Sequence, residues 1–382
     1  MRQNIIVMNP FLVKGYVSSE YFCDREKETA DMLGNVQNGV DTTLISPRKY
    51  GKTGLIYHLF DTIHRKRLSY ETIYVDILAT RSFADFIKVL AEAVMIHFPE
   101  KTNVGRKFLE FIKGLRPLIS YDALTGSPQL QITYQMESEK ENTLAGLLGF
   151  LNNQKVEIVL AIDEFQQIRE YPEKNVEAFL RTYMQQVHNV HFIFSGSKRS
   201  VMSDMFLSAR RPFFSSSRVM SLDKIERETY KQFIKTHFRK GKMSIEKDAL
   251  DYIMDWTKGH TFYTQTLCNA IFGKQVKNIN LKTVKMTCAE ILEKLTDTYL
   301  QYRELVTPAQ WNFLVAVAKE GEVEKITSTH FLSTYNIGGA TSAKRMAQSL
   351  SDKELLLSIA KTKKTTYQIY DVFFSRWIET FL

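Results

Sequence analysis

The chain has 382 residues, 44% hydrophobic and 24% charged, with 17 Gly and 8 Pro. This ordinary globular composition is enough for two or three cores at roughly 150 residues each, and it excludes a disordered, collagenous or low-complexity chain. Fifty-one Lys and Arg against 42 Asp and Glu give a formal net charge of +9, which permits a polyanionic partner without requiring one.

The first thirteen residues, MRQNIIVMNPFLV, carry one early Arg and a short apolar run ending at Asn9-Pro10. They lack the long apolar segment and small-residue cleavage site of a secretory signal. No window approaches the roughly 18 apolar residues of a membrane span. Cys23, Cys268 and Cys288 are too scattered for a disulfide framework or a zinc site and fit a reducing compartment. A cytoplasmic protein with no membrane contact is expected. No repeat of 20–50 residues is present, which argues against a solenoid.

Short runs rich in β-branched and aromatic residues occur at 42–45, 72–77, 156–162 and 190–194, with a weaker one at 218–222. Helical patterns at 54–67, 82–98, 141–152 and 176–187 alternate with them. Near-continuous apolar strands between amphipathic helices predict an α/β fold whose parallel sheet is covered on both faces. Between the second and third core strands, 115–134 reads as two alternating runs around Thr125-Gly126-Ser127-Pro128, predicting an inserted β-hairpin. After Leu222 the strands stop, and helices are expected at 224–239, 247–258, 261–272 and 281–302. From Pro308 onward, helices at 309–319, 327–335 and 342–353 precede strands at 355–359 and 366–370. The last two flank Lys361-Thr362-Lys363-Lys364. Three helices and a β-ribbon make a winged helix. The expected division is a P-loop core over 1–222, a helical lid over 223–303 and a winged helix over 304–382.

The string Ser46-Pro47-Arg48-Lys49-Tyr50-Gly51-Lys52-Thr53 follows the first strand and opens a helix. It fits the phosphate-binding pattern G-x-x-x-x-G-K-[ST] except for Ser46 in place of the first Gly. Gly51 lets the backbone approach phosphates, whose charge the loop N–H groups and the helix N-terminus favour. Lys52 is placed to reach the β- and γ-phosphates, and Thr53 to offer its hydroxyl to Mg²⁺. Gly54 completes the loop. The third core strand, Glu157 to Ile162, ends in Asp163-Glu164. This is a Walker B pattern, with Asp163 toward Mg²⁺ and Glu164 as general base for the attacking water. The paired carboxylates point to ATP and not GTP, and no Asn-Lys-x-Asp string for guanine is present. His-Glu-x-x-His and Gly-x-Ser-x-Gly strings are also absent, leaving zinc hydrolysis and serine hydrolysis without support.

With these motifs in order, the chain resembles the archaeal-ATPase family, in the STAND class of AAA+-like P-loop NTPases, from about Tyr21 to the end. Phe22-Cys23-Asp24-Arg25-Glu26-Lys27-Glu28 matches its entry motif, with Asp24 where Gly is frequent. The resemblance implies that this segment covers the adenosine, with Arg25 near the nucleotide. A helix start capped by Asp24, with Glu28 as a first-turn acid, explains the same residues. Ser-Pro-Arg-Lys-Tyr-Gly-Lys-Thr is a frequent family form of the loop. Ser195-Gly196-Ser197, ending the fourth core strand, occupies the sensor position, where Ser195 or Ser197 would report the γ-phosphate; a tight Gly turn is the alternative. An arginine finger toward a neighbouring subunit is offered by Arg210-Arg211 or by Arg199, and surface arginines are common. Gly259-His260-Thr261-Phe262-Tyr263-Thr264-Gln265 matches the lid motif that brings His260 toward the nucleotide. Thr261 replaces a Pro that would fix φ. Thr307-Pro308-Ala309-Gln310-Trp311, Ile337 to Ala343 and Tyr370 to Trp377 match the family's winged helix.

From Glu304 to the end, nine basic residues face eight acidic ones, so general phosphate attraction is small. Lys344, Arg345 and Gln348 on the recognition helix and Lys361, Lys363 and Lys364 on the wing would form a duplex-DNA face. Packing against the ATPase core is the alternative. In the lid, Lys231, Lys235 and Arg239 share one helix face at i, i+4 spacing. Phe373, Phe374 and Trp377 are expected to anchor the winged helix in its own core. The function these readings imply is slow Mg²⁺-dependent ATP hydrolysis that drives or gates movement of lid and winged helix, with ATP and ADP as ligands. The alternative is a nucleotide-occupied switch or DNA-binding regulator with little intrinsic hydrolysis. Self-association or an unknown protein partner stays open.

Overall fold

A computed structural model of the chain describes residues 8–114, 118–131, 134, 136–361 and 364–382. The chain forms two compact units. One is Gly15–Lys224; the other joins the N-terminal segment up to Lys14 to Ile225–Leu382.

The first unit contains α1 (Glu26–Gln37), β1 (Thr42–Ile45), α2 (Lys52–Arg65), β2 (Tyr70–Asp76), α3 (Phe83–His97), α4 (Asn103–Gly114), β3 (Leu118–Tyr121), β4 (Pro128–Gln131), α5 (Glu137–Asn152), β5 (Glu157–Asp163), α6 (Val176–Met184), β6 (Val190–Gly196), α7 (Arg199–Leu207) and β7 (Arg218–Ser221). Five strands pair in parallel in the order β2-β5-β6-β1-β7. The α/β class is therefore as expected, with the Walker B pattern on β5, the third strand of this sheet in chain order. The apolar run of β5 is continuous because its two faces feed two cores. Ile158, Leu160 and Ile162 join the cluster of α3, α5 and α7. Val159 and Ala161 join the cluster of α1 and α2.

The expected hairpin is present as antiparallel β3 and β4; positions 115–117, 132 and 133 of the predicted span lie outside the described residues. Helix α4 was not expected. Its apolar stripe (Phe108, Leu109, Phe111, Ile112) was legible, but it contains Gly105, a poor helix residue. That glycine has a packing reason, since a Cβ there would meet Pro99 O at 2.1 Å.

The second unit carries α8 (Arg227–Lys240), β8 (Ser244–Ile245), α9 (Lys247–Trp256), α10 (Thr261–Gly273), β9 (Asn278–Ile279) and α11 (Leu281–Tyr302). It continues with α12 (Pro308–Glu320), α13 (Thr329–Thr334), α14 (Ala340–Asp352), β10 (Leu356–Lys361), β11 (Lys364–Ile369) and α15 (Val372–Phe381). Strands do not stop at residue 222: β8 and β9 pair in parallel over two residues each, too short to leave a periodic signal. The winged helix forms as predicted. Its first helix starts from a capping box, with Thr307 accepting from the Gln310 N–H and the Gln310 side chain accepting from the Thr307 N–H.

The aromatic cluster of the last helix departs from expectation. Phe373, Phe374 and Trp377 do not serve the winged helix alone. Phe373 packs on Trp256 and Tyr263 of the lid helices at 5.1 and 4.7 Å between ring centroids. The Trp377 indole N–H donates to Thr296 Oγ1 at 3.0 Å. Tyr299 packs on both Phe374 and Trp377. Arg376 donates to the carbonyls of Asp255 and Trp256, satisfying the C-terminal end of α9 with a cation. Helix α15 thus forms an aromatic seam between lid and winged helix. At the other end of the chain, Phe11 is fully buried among Phe233, His237, Phe238 and Phe272. Asn9 donates to Asn269 O, and the Asn269 amide donates back to Phe11 O.

Candidate functional site

The phosphate-loop string joins β1 to α2. Ser46 and Pro47 leave the strand buried, with the Ser46 hydroxyl turned onto Pro47 O. Arg48 is half-buried and Lys49 exposed, the latter at φ +66°. Tyr50 folds under the loop into the core shared by α1 and α2. Gly51 caps α2 at φ +94°, a conformation that residues with a side chain rarely adopt; a Cβ there would meet no atom within 4 Å. Lys52, only 6% exposed, donates to the carbonyls of Ser46 and Pro47 at 3.0 and 3.2 Å. Its ammonium therefore lies inside the loop that leads into the N-terminus of α2, where an anion is favoured. The Gly54 Cα lies against the Phe22 ring, 3.0 Å from where a Cβ would stand.

The sheet register brings the carboxylates to this loop. β2 and β5 pair with Asp76 opposite Asp163. β5 and β6 pair with Ile162 opposite Phe194, so Ser195 falls beside Asp163. Asp163, 3% exposed, accepts hydroxyl donors from Thr53 and Tyr74 on Oδ2, each at 2.7 Å, and from Ser195 on Oδ1. Oδ1 also accepts the Glu164 N–H. Glu164 stands at φ +56° and opens a 3-10 turn over Phe165–Glu170. Its Oε2 accepts from Ser197 Oγ at 2.7 Å and from Gln166 Nε2 at 2.5 Å. Asp76 caps its own loop through the Leu78 N–H. Burial first, then the charges of Asp163 and Glu164, push its carboxyl above the usual range, against that hydrogen bond.

Lys52, Thr53, Asp163, Glu164 and Ser195, singled out by their motifs, stand together at the C-terminal edge of the sheet. Tyr74 and Gln166 were missed. The alternation of Thr72-Ile73-Tyr74-Val75-Asp76 does place Tyr74 and Asp76 on one face, and that signal was available. Arg25 is buried and spends its guanidinium on Glu28 at 2.7 Å and on Asp223 O at 2.5 Å. It stands at the N-cap position of α1 with φ +80° and no side-chain cap, so Asp24 is not the cap. His260 lies in the other unit, as the buried N-cap of α10 with its ring on Tyr263. Thr261 follows as the first helical residue, and its buried hydroxyl makes no hydrogen bond. Arg211 is held by Asp204 at 2.6 Å and lies beside Glu177, sharing both with Arg169. Among the described residues Arg199 and Arg210 have no such partner. No group of three or more His, Cys, Asp and Glu side chains is gathered for a metal among the described residues.

A family model described as an ATPase domain predominantly from Archaea matches residues 22–267, more than half of the chain. The chain belongs to this archaeal ATPase family. A second model, "Probable winged helix domain", matches residues 297–380 of the ATPase. Among solved structures it is similar to the Walker-type ATPase of Pyrococcus abyssi, with 16% identity, 97% of this chain and 99% of that chain covered and a TM-score of 0.66. It is also similar to the ORC2 protein of Aeropyrum pernix in ADPNP–ADP complexes, with 13% identity, 97% and 96% coverage and a TM-score of 0.61. The ORC1 protein of Aeropyrum pernix in complex with DNA gives 10% identity, 94% and 93% coverage and a TM-score of 0.50. These likenesses show the fold. No curated protein matches the ATPase. No helix among its described residues is long and apolar enough to cross a membrane.

Proposed function

We propose that this ATPase binds ATP with Mg²⁺ and hydrolyses it slowly, gating a conformational change of lid and winged helix in the manner of STAND proteins. The observation that carries this reading is the joint placement of Lys52 within the loop carbonyls and of Thr53 on Asp163, with Glu164 next in the chain. Two hard oxygens, the Thr53 hydroxyl and the Asp163 carboxylate, suit Mg²⁺, which keeps most of its waters and takes few protein ligands beside phosphate. Bound there, Mg²⁺ would draw off charge from the β- and γ-phosphates. Lys52 turns from its two carbonyls to the phosphate oxygens. The N–H groups at the start of α2 and the loop from Ser46 through Tyr50 and Gly51 to Gly54 enclose the chain of phosphates. Glu164 orients a water for in-line attack on the γ-phosphorus and takes its proton. Arg25 fixes the entry segment through Glu28 and Asp223 O.

The switch reading has its own support. Arg211, one of the candidate fingers, is already tied down by Asp204 and Glu177. For a duplex-DNA partner, Lys344 and Arg345 are exposed on α14, and a DNA complex exists for the ORC1 protein of similar fold. Against it, Gln348 donates to Asp352 and Lys364 pairs with Glu324. Lys363 and the Lys361 side chain lie outside the described residues. In the lid, Lys231 is held by Glu228 and Asp251, which removes one cation from the shared face.

Steady-state ATP hydrolysis with Mg²⁺, with and without duplex DNA, tests the proposal. Lys52→Ala is expected to lower nucleotide affinity at least about tenfold. Glu164→Gln is expected to bind ATP but turn over roughly 10²–10⁴-fold more slowly. Tight ATP binding by the wild type with no turnover under any condition would leave the switch reading in its place.

A further inference from the structure

Each residue of the tripeptide Ser195-Gly196-Ser197 serves the Asp163-Glu164 pair at the end of the neighbouring strand, directly or through Gln166. Ser195 donates to Asp163 and Ser197 to Glu164. Gly196 makes room. A Cβ at this position would stand 2.4 Å from Gln166 Oε1 and 2.5 Å from the Met202 side chain. The Gln166 amide can therefore lie across β6 only because residue 196 is glycine.

Gln166 is an odd choice for a core position. It is 3% exposed, and its Oε1 accepts no hydrogen bond, a cost that an apolar side chain of similar size would avoid. What the amide does is donate Nε2 to Glu164 Oε2, the same oxygen that Ser197 reaches. Two donors from different segments thus converge on one carboxylate oxygen. Glu164 itself stands in the left-handed region, which a side chain with a Cβ adopts only when its surroundings impose it. The backbone turn and the two donors together fix the carboxylate through Oε2.

We propose that Ser197 and Gln166, with Gly196 as the residue that admits Gln166, are positioning residues that orient Glu164 for water activation. This rests on the reading of Glu164 as the general base. Neither residue touches the reacting atoms; each acts through Glu164. A serine at 197 is thereby assigned to the carboxylate and not to direct sensing of the γ-phosphate.

The test compares wild type, Ser197→Ala, Gln166→Leu, the double variant, Ser197→Thr and Glu164→Gln in full-length protein. ATP hydrolysis is measured together with binding of a fluorescent ATP analogue. Ser197→Ala is expected to lower kcat about tenfold and the double variant about 100-fold, a part of what a positioned base supplies, with KM and analogue affinity within about twofold. Ser197→Thr keeps the hydroxyl and is expected to restore kcat to within about threefold. Retained analogue affinity shows that a variant is folded, and a general structural defect would move KM and affinity along with kcat. If Glu164→Gln stalls while the alanine and leucine variants turn over as wild type, the positioning role is overturned and the base reading stands. If Glu164→Gln turns over as wild type, the base reading falls, and the positioning role with it.

Discussion

Asp163 collects hydroxyl donors from three separate segments, through Thr53, Tyr74 and Ser195. Thr53 and Asp163 were legible in the sequence because each sits in a motif with a fixed local order. Tyr74 was not, because its approach depends on the pairing of β2 with β5, strands separated by 89 positions at this contact. Gln166 escaped for another reason: the turn at Glu164 reverses the backbone locally, and positive φ at a glutamate has no sequence signal. Tyr74 also packs on Tyr57, so its hydroxyl is held over the carboxylate. Tyr74→Phe removes that donor and keeps the ring. Outer-shell partners of metal-ligating carboxylates contribute about 10–100-fold in metal affinity. The Mg²⁺ concentration giving half-maximal ATP binding in calorimetry is therefore expected to rise about tenfold, with little change in thermal stability.

At the level of elements, the core strands were recoverable because each buried run has a clear start and stop in the sequence. The seam made by α15 was not. Val372, Phe373, Phe374, Trp377 and Ile378 are all buried, and such a wide apolar stripe reads as the core of whichever domain contains it. The sequence has no way to mark that one face of the stripe serves α9, α10 and α11. Phe373 carries much of that face, between Trp256 and Tyr263. Phe373→Ala is expected to cost about 3–5 kcal/mol in the unit that includes the lid. Limited proteolysis should then cut within 225–382 at lower temperature than in the wild type. An unchanged cleavage profile would mean that the seam contributes little to holding lid and winged helix together.

At the scale of the whole molecule, the second unit is discontinuous: its N-terminal segment and its lid are separated in sequence by the entire first unit. Phe11 fills a socket of lid aromatics, and Asn9 and Asn269 exchange hydrogen bonds across 260 positions. Phe11→Ala is expected to lower the melting temperature of this unit, by a loss of about 3–5 kcal/mol. Calorimetry should show the transition of Gly15–Lys224 unmoved. The arrangement also sets a timetable for synthesis. Phe11 leaves the ribosome first, but its socket follows more than 200 residues later, on the order of tens of seconds at about 5–20 residues per second. By the end of that interval the first unit has all of its own sequence and can fold, while a large aromatic side chain has waited in water. The N-terminal segment can dock only once α8 and α10 have been made, so the second unit cannot begin to close before the sequence of the first is complete.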